Sequence, residues 1–273
     1  MAMLVKESFL SFSVASYNVL ASAYVQRAWY PRTPALVLNP AWRVPALVQH
    51  ISTLHADILC LQEVEPETFA ALRTSLGERG YGAQYARKTA GCPEGCAIFY
   101  RRDSFELISI RAVAYEDGGG ATYDSGSIAL LALCRSGDRV LGVVNTHLVW
   151  DPPHTAPAAQ RGLRQAQKLL SEHKSCASDA RGWIIAGDFN ATPGSEIVAM
   201  LERAGFDYAH GGLTGVVTCN VNAEARMIDY LFHSSALRAE PQLPAPIDDK
   251  TILPSAEQPS DHVAILSRFT WNG

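Results

Sequence analysis

The stretch that decides the fold is NTHLVWDPPHTAPAAQRGLRQAQKLLSEHKSCASDARGWIIAGDFN, residues 145–190. It opens at the end of an apolar run, where Asn145 and His147 have like parity and share one face of a strand. Its middle, about 158 to 173, reads as a helix, and GWIIAGDF reads as a second strand. That strand closes on Asp188 and Asn190, again of like parity. The same order occurs earlier, where SYNVL leads through a helix to LQEV. The two copies read as an internal duplication, with one polar cluster from each half.

Outward from there, strand-like and helix-like segments alternate. A strand is expected over 9–20, a helix over 44–55 and a short buried strand over 57–64. Pro66 suits the first turn of a helix carrying Phe69, Leu72 and Leu76, which Gly80 would end. Strands follow at 81–87, 95–102, 105–115, 127–135 and 139–148, then a helix over 195–204 and strands at 228–234 and 263–270. Helices separated by antiparallel-looking meanders suit an α/β fold, a four-layer α/β sandwich of two packed mixed β-sheets flanked by helices. No linker-like stretch divides the chain, so residues 1–273 are read as a single domain.

With 48% hydrophobic and 18% charged residues, the composition is that of a globular protein able to bury a substantial core. A net charge of −4 supplies no strong field toward nucleic acid or acidic membranes, so any polyanion must meet a local basic patch. The six cysteines form no paired CxxC arrangement. Cys60 and Cys134 read as core thiols, and Cys92 and Cys96 in GCPEGC as loop thiols, which favours a reducing, cytoplasmic setting. The N-terminal stretch imitates a weak signal peptide, but serines 8, 11 and 13 break its apolar core, so it is read as mature chain. No apolar run is long enough to span a membrane. A monomer is expected, with no protein partner.

Polar residues interrupt the apolar pattern at strand ends: Asn18, Glu63, Asn145 with His147, Asp188 with Asn190, Asp229 in MIDYLF, and Asp261 with His262 in PSDHVAIL. Asp261 and His262 are neighbours, and neighbours on a regular strand point to opposite faces. They can share a site only at the mouth of the last strand, before it becomes regular. A carboxylate in an apolar strand costs several kcal/mol unless paired or metal-bound. Repetition of that cost at several strand ends argues for one shared cleft. Its oxygen-rich donors suit a hard cation, Mg²⁺ or alternatively Mn²⁺. With histidines for acid–base work, the set suits attack of water on a phosphoester.

SYNVLA, LQEV, GCAIFY, NTHL, GDFN, IDYLF and PSDH, in this order over nearly the whole chain, resemble the endonuclease/exonuclease/phosphatase superfamily. The segment AYVQRAWYPRTPALVLNPAWR, with NTHLVWDP and LPSAEQPSDH, is similar to the nocturnin, Angel and 2′-phosphodiesterase branch, a deadenylase-type branch. The resemblance implies that Glu63 binds Mg²⁺, with Asn18 beside it and Asp261 serving the metal shell. It implies that Asp188 orients and helps deprotonate the attacking water and that Asn190 holds a phosphate oxygen or the nucleophile. His262, oriented by Asp229, would contact the scissile phosphate, and His147 would hydrogen-bond it and assist the leaving oxygen.

The implied function is a Mg²⁺-dependent phosphodiesterase, a 3′-5′ exoribonuclease acting on single-stranded RNA ends. An RNA 2′,3′-cyclic phosphatase or a 2′-5′ phosphodiesterase is the near alternative. A DNA endonuclease or a lipid phosphodiesterase of the superfamily stands further off; the lipid reading would need 28–38 as an exposed apolar loop. From another class comes an inactive binding module, which predicts a lost site residue where none is lost. Pro152 matches a proline lining the nucleobase pocket of family deadenylases, whereas Glu224 stands where those enzymes carry a stacking aromatic. Tyr123, Trp150 and Phe189 remain as aromatic candidates for stacking. Arg87 with Lys88, Arg101 with Arg102, and Arg161, Arg164 and Lys168 are the basic residues placed to follow a phosphate backbone.

Overall fold

The computed structural model describes residues 11–118, 123–152 and 154–272; the reading of residues 1–10 as mature chain lies outside them. In chain order the elements are β1 (Ser11–Asn18), α1 (Ala35–Leu38), α2 (Pro40–Ser52), β2 (Ile58–Val64), α3 (Pro66–Gly77), β3 (Tyr81–Arg87), β4 (Gly95–Arg101), β5 (Glu106–Ala114) and β6 (Ile128–Ser136). They continue as β7 (Arg139–His147), α4 (Arg161–Cys176), β8 (Gly182–Asp188), α5 (Glu196–Arg203), β9 (Phe206–Tyr208), β10 (Cys219–Val221), β11 (Glu224–Arg226), β12 (Asp229–Ser234), β13 (Leu237–Gln242) and β14 (Ile265–Trp271).

Two six-stranded sheets result, in the orders β13-β14-β1-β2-β4-β3 and β5-β6-β7-β8-β12-β9. Each has one parallel pair at its centre, β1 with β2 and β7 with β8, and antiparallel pairs elsewhere. The duplication read from SYNVL…LQEV and NTHL…GDFN is therefore a duplication of topology. Each half ends in a hairpin that joins the other half's sheet: β5-β6 lies beside β7, and β13-β14 lies beside β1.

Alternation along the strands sorts the apolar side chains into three layers. Val14, Ile58, Val143, Ile184, Leu231 and Ile265 meet between the sheets. Tyr17, Leu59 and Leu61 face the helix side with Leu47, Ile51 and Leu72. Trp183, Ile185 and Phe232 do the same with Leu169, Val198 and Leu201. Sheets in the middle and helices outside make the four-layer sandwich expected from the sequence.

Towards one end, the inward-facing set turns polar. Ser16, Gln62 and Asn145 continue the parity of the core residues and are fully buried. Asn145 ties the two sheets together: its Nδ2 donates to the carbonyls of Leu61 and Ala97, each at 2.8 Å, and its Oδ1 accepts from Gln62 Nε2 at 2.7 Å. Like parity with His147 thus put Asn145 on the expected face but one step deeper, as a strut between sheets rather than a cleft residue.

Helix α4 begins three residues later than periodicity predicts, after a 3₁₀ turn at Pro157–Ala159. The side chain of Asp151, ten residues back, accepts from the first amides, Arg161 at 2.9 Å and Gly162 at 2.8 Å. A cap supplied from that distance leaves no local signature. The sequence also gave no sign of β9, β10 and β11, too short for a period, or of β13. Strand β13 is polar and carries Pro241, which an edge strand paired only with β14 tolerates.

All six cysteines are free. Cys60 and Cys134 are core residues as expected; Cys92 sits in the loop, whereas Cys96 is fully buried in β4 rather than being a loop thiol. Among the described residues no helix is long and apolar enough to cross a membrane.

Candidate active site

The polar end of the sheet interface opens into a cavity of about 490 Å³ lined by Glu63, Lys88, His147, Asp188, Asn190, Asp261 and His262, among others. Register explains the gathering. His147 at the end of β7 pairs with Asp188 at the end of β8, and Asp188 pairs across with Asp229 at the start of β12. Gly187, with φ of +150°, lets β8 pass close to β7 just before Asp188; a Cβ there would collide with the Thr146 carbonyl. Asp261 and His262 precede β14, in the irregular mouth anticipated from PSDH, and His262 forms an isolated bridge with Cys219.

Glu63 reaches the cleft through a defect in β2. A register shift between Leu61 and Val64 and a φ of +56° at Glu63 interrupt alternation. Gln62 can then point between the sheets while its neighbour serves the site. Glu63 Oε1 accepts from Asn18 Nδ2 at 2.9 Å, and Oε2 accepts from the Ala21 amide at 2.8 Å. Burial, then the charges of Asp261 and Glu94, push its carboxyl up to about 7.

Asp188 is the hub. Its Oδ2 accepts from Asn18 Nδ2 at 3.0 Å and its Oδ1 from the Asn190 amide at 2.8 Å. His147 Nε2 and His262 Nε2 stand 3.6 and 3.7 Å from Oδ2. Burial, then the charge of Asp229 opposite, push Asp188 up to about 6, against the opposing pull of His262 and Asn18. His262 Nδ1 lies 2.8 Å from Asp229 Oδ2. Burial alone would lower the His262 pKa, but the charge of Asp229 leads the influences that hold it well above the usual range. Asp261 Oδ2 accepts from the Tyr30 hydroxyl at 2.7 Å, which anchors the 28–38 segment beside the site at Tyr30, while Trp29 and Leu36 of that segment remain exposed.

The structure thus brings together Asn18, Glu63, His147, Asp188, Asn190, Asp229, Asp261 and His262. Three expected substrate contacts behave differently. Arg87 is exposed, donates to the Cys92 carbonyl at 2.6 Å and does not line the cavity. Lys88 is not a surface cation: its side chain is 8% exposed and pairs at 2.7 Å with Glu94, which is fully buried. Pro152 stands beside the cluster, on the wall of a neighbouring cavity of about 800 Å³ that shares Trp150, Asn190 and Arg226 with the first. Of the other cations, Arg161 is held by Asp117 at 2.9 Å and Arg101 by Asp103 at 3.2 Å.

Among the aromatic candidates, Phe189 is core, while Trp150 is half exposed on the cavity wall. Trp29, Tyr24 and Tyr30, from the segment that carries the resemblance, also line the cavity and were not among the expected stacking residues. Glu224 lies exposed on the β10-β11 hairpin, beside Arg226. Glu94 was missed as well. Its only signal was an acid inside GCPEGC, directly before a buried strand.

Two groupings of residues could hold a metal. Asp188, Asp229 and His262 bring ligand atoms within 4.8 Å of one another. Glu63 and Asp261 form the other, all-oxygen set, whose mutual repulsion contributes to the raised carboxyl of Glu63. In the first set His262 Nδ1 and Asp229 Oδ2 already share a proton, while Asp229 Oδ1 is buried without a hydrogen-bond partner. The second has unneutralised negative charge, which a cation would relieve.

Packed mixed sheets under outer helices, with carboxylates, amides and histidines at one sheet end, place the protein among the α/β sandwiches whose cleft is built from strand ends. The chain belongs to the endonuclease/exonuclease/phosphatase family, whose model matches residues 15–262. It is 30% identical over 217 residues to protein angel homolog 2 of Homo sapiens, covering 74% of this chain and 39% of that protein. It is 28% identical to carbon catabolite repressor protein 4 homolog 4 of Arabidopsis thaliana, over 96% of this chain and 78% of that protein. In fold it matches the crystal structure of ANGEL2, a 2′,3′-cyclic phosphatase, in complex with adenosine-2′,3′-vanadate. That match has a TM-score of 0.83 and 24% identity and covers 96% of both chains.

Proposed function

We propose that the protein is a divalent-metal-dependent phosphodiesterase of the deadenylase-like type, acting as a 3′-5′ exoribonuclease on single-stranded RNA ends. The observation that carries this is Asp188, a buried carboxylate whose pKa of about 6 suits a base near neutral pH, beside a histidine held by a second carboxylate. Membership of the family and similarity to a carbon catabolite repressor protein 4 homologue support it.

Glu63 and Asp261 are the residues that would hold the cation, Mg²⁺ or alternatively Mn²⁺, with Asn18 fixing the Glu63 carboxylate. When bound, the ion neutralises charge on the phosphate oxygens. The chain's own groups do the rest. Asp188 takes the proton of the attacking water, with its orientation set by Asn18 and by the Asn190 amide. His262, kept cationic by Asp229, faces the phosphate as a fixed positive charge. Asn190 and His147 hydrogen-bond phosphate oxygens. Trp150 and Pro152 receive the terminal base, Trp150 by stacking.

A second reading has its own support. The angel homologue and the cyclic phosphatase structure match this chain, and Glu224 replaces the expected stacking aromatic, so hydrolysis of an RNA 2′,3′-cyclic end fits the same cluster. One assay separates the two. Four 5′-labelled RNAs, with A-tract or mixed tails ending in a free hydroxyl or a 2′,3′-cyclic phosphate, are incubated with Mg²⁺, and Glu63→Gln serves as background. Stepwise shortening establishes the exoribonuclease; opening of the cyclic end without shortening establishes the phosphatase. Neither product from an active-site-intact protein would remove RNA ends as substrate.

Metal affinity should depend on pH through Glu63. Its raised carboxyl is mostly protonated below pH 7 and must ionise to bind. Binding therefore strengthens as pH rises through about 7. Calorimetric titration with Mg²⁺ should give an affinity about tenfold higher at pH 8 than at pH 6. Equal affinity at both would show that Glu63 either is ionised already at pH 6 or is not a ligand, and Glu63→Gln, which should abolish binding only in the first case, separates the two.

A further inference from the structure

We propose that Lys88, held by Glu94, fixes His147 as a neutral imidazole carrying its proton on Nε2, so that His147 is a permanent hydrogen-bond donor into the cleft. Lys88 Nζ lies 2.7 Å from Glu94 Oε1 and 3.3 Å from His147 Nδ1. Its place is set twice more: the Lys88 amide donates to the Glu94 carbonyl at 2.9 Å, and the Tyr24 hydroxyl donates to Glu94 Oε1 at 3.3 Å. Burial alone would lower the Lys88 pKa, but Glu94 outweighs it, and the ammonium stays charged.

An ammonium has hydrogens to give and no lone pair. The ring atom facing it must therefore be the acceptor, and a neutral imidazole has only one. That places the proton on Nε2. A competing donor exists, because Asn190 Nδ2 lies 3.2 Å from His147 Nε2 and would favour the opposite tautomer. The ammonium prevails for two reasons. A charged donor makes a bond roughly twice as strong as a neutral one, and an Nδ1–H would face a buried positive charge. Asn190 Nδ2 already donates to the Leu148 carbonyl at 2.8 Å. The Nε2–H then points toward Asp188 Oδ2, 3.6 Å away, the side where the water and phosphate would sit. Burial, then Lys88 and His262, keep His147 from protonating.

Lys88 is thus a positioning residue, acting through His147. Its catalytic consequence rests on the phosphodiesterase reading; the tautomer does not. The test is a long-range ¹H–¹⁵N correlation spectrum of protein labelled at the histidine ring nitrogens, recorded near neutral pH on the metal-free protein. His147 is assigned by the signal lost in His147→Gln.

The expected spectrum shows His147 neutral and protonated on Nε2. In Lys88→Met the Nδ1–H form appears, as Asn190 takes Nε2 for an acceptor, and Lys88→Arg restores the original pattern. Glu94→Gln, which keeps shape and burial, should shift the tautomer in the same direction if Lys88→Met does not fold. On the RNA substrate that the native protein cleaves, Lys88→Met lowers kcat about 100-fold with little change in KM.

An Nδ1–H ring in the native protein, or an unchanged tautomer in Lys88→Met, overturns the assignment, even where turnover falls. The Nε2–H ring in a protein that cleaves no RNA supports it and sinks the phosphodiesterase reading instead.

Discussion

Asp188→Asn should abolish most turnover while making the folded protein more stable. The proposed base is lost, so kcat for the labelled RNA should fall by about 1000-fold. The stability gain follows from the sign of the pKa shift. Asp188 has a folded pKa of about 6, above its ordinary value, because burial and the facing Asp229 disfavour its charge. The stabilisation associated with its neutral form is complete below the unfolded pKa and is lost as pH rises through about 6. At pH 7 the native state therefore carries an unfavourable charge that an amide does not. The gain should be about 2 kcal/mol, less than the pKa shift alone implies, because the new amide faces another donor at Asn18. Calorimetric unfolding of the metal-free proteins at pH 7, with single-turnover assays, measures both effects. A variant that is inactive but less stable would mean that Asp188 is held by contacts not recognised above.

Asp229→Ala should lose on both counts. The deletion leaves His262 buried without its acceptor, and breaking a buried pair of this kind costs about 3–5 kcal/mol. Relief of the repulsion between Asp229 and Asp188 offsets a part of that, so a net loss of about 3 kcal/mol in urea unfolding at pH 7 is expected. Turnover should drop by about 1000-fold or more, because His262 loses both its positive charge and its fixed orientation. Turnover within threefold of the native enzyme would remove the His262–Asp229 pair from the mechanism.

The long strands and four of the five α-helices among the described residues were legible because each buries one face or both, which writes a period into the sequence. The eight cluster residues were legible for a related reason: a charged or amide group breaking an apolar run is costly and therefore visible. Arg87 and Lys88 show where this fails. They are adjacent basic residues in one segment, and nothing local separates the exposed one from the one buried against Glu94. Asn145 shows the same limit in the other direction. Its parity matches that of His147, and only the depth of the sheet interface makes one a strut and the other a cleft residue.

By itself the sequence determined the layered α/β class, the repeated strand–helix–strand unit and the residue types of the cluster, because these follow from local periodicity and the cost of burying polar groups. The tertiary structure decided what depends on contacts across the chain. It exchanged the terminal hairpins between the sheets and set Asp188 opposite both His147 and Asp229. The bulge in β2 turned Glu63 into the cleft, and the loop before β4 drew Lys88 onto His147. Such placements arise from register and from pairing of residues far apart in the chain, and neither leaves a mark on neighbouring residues.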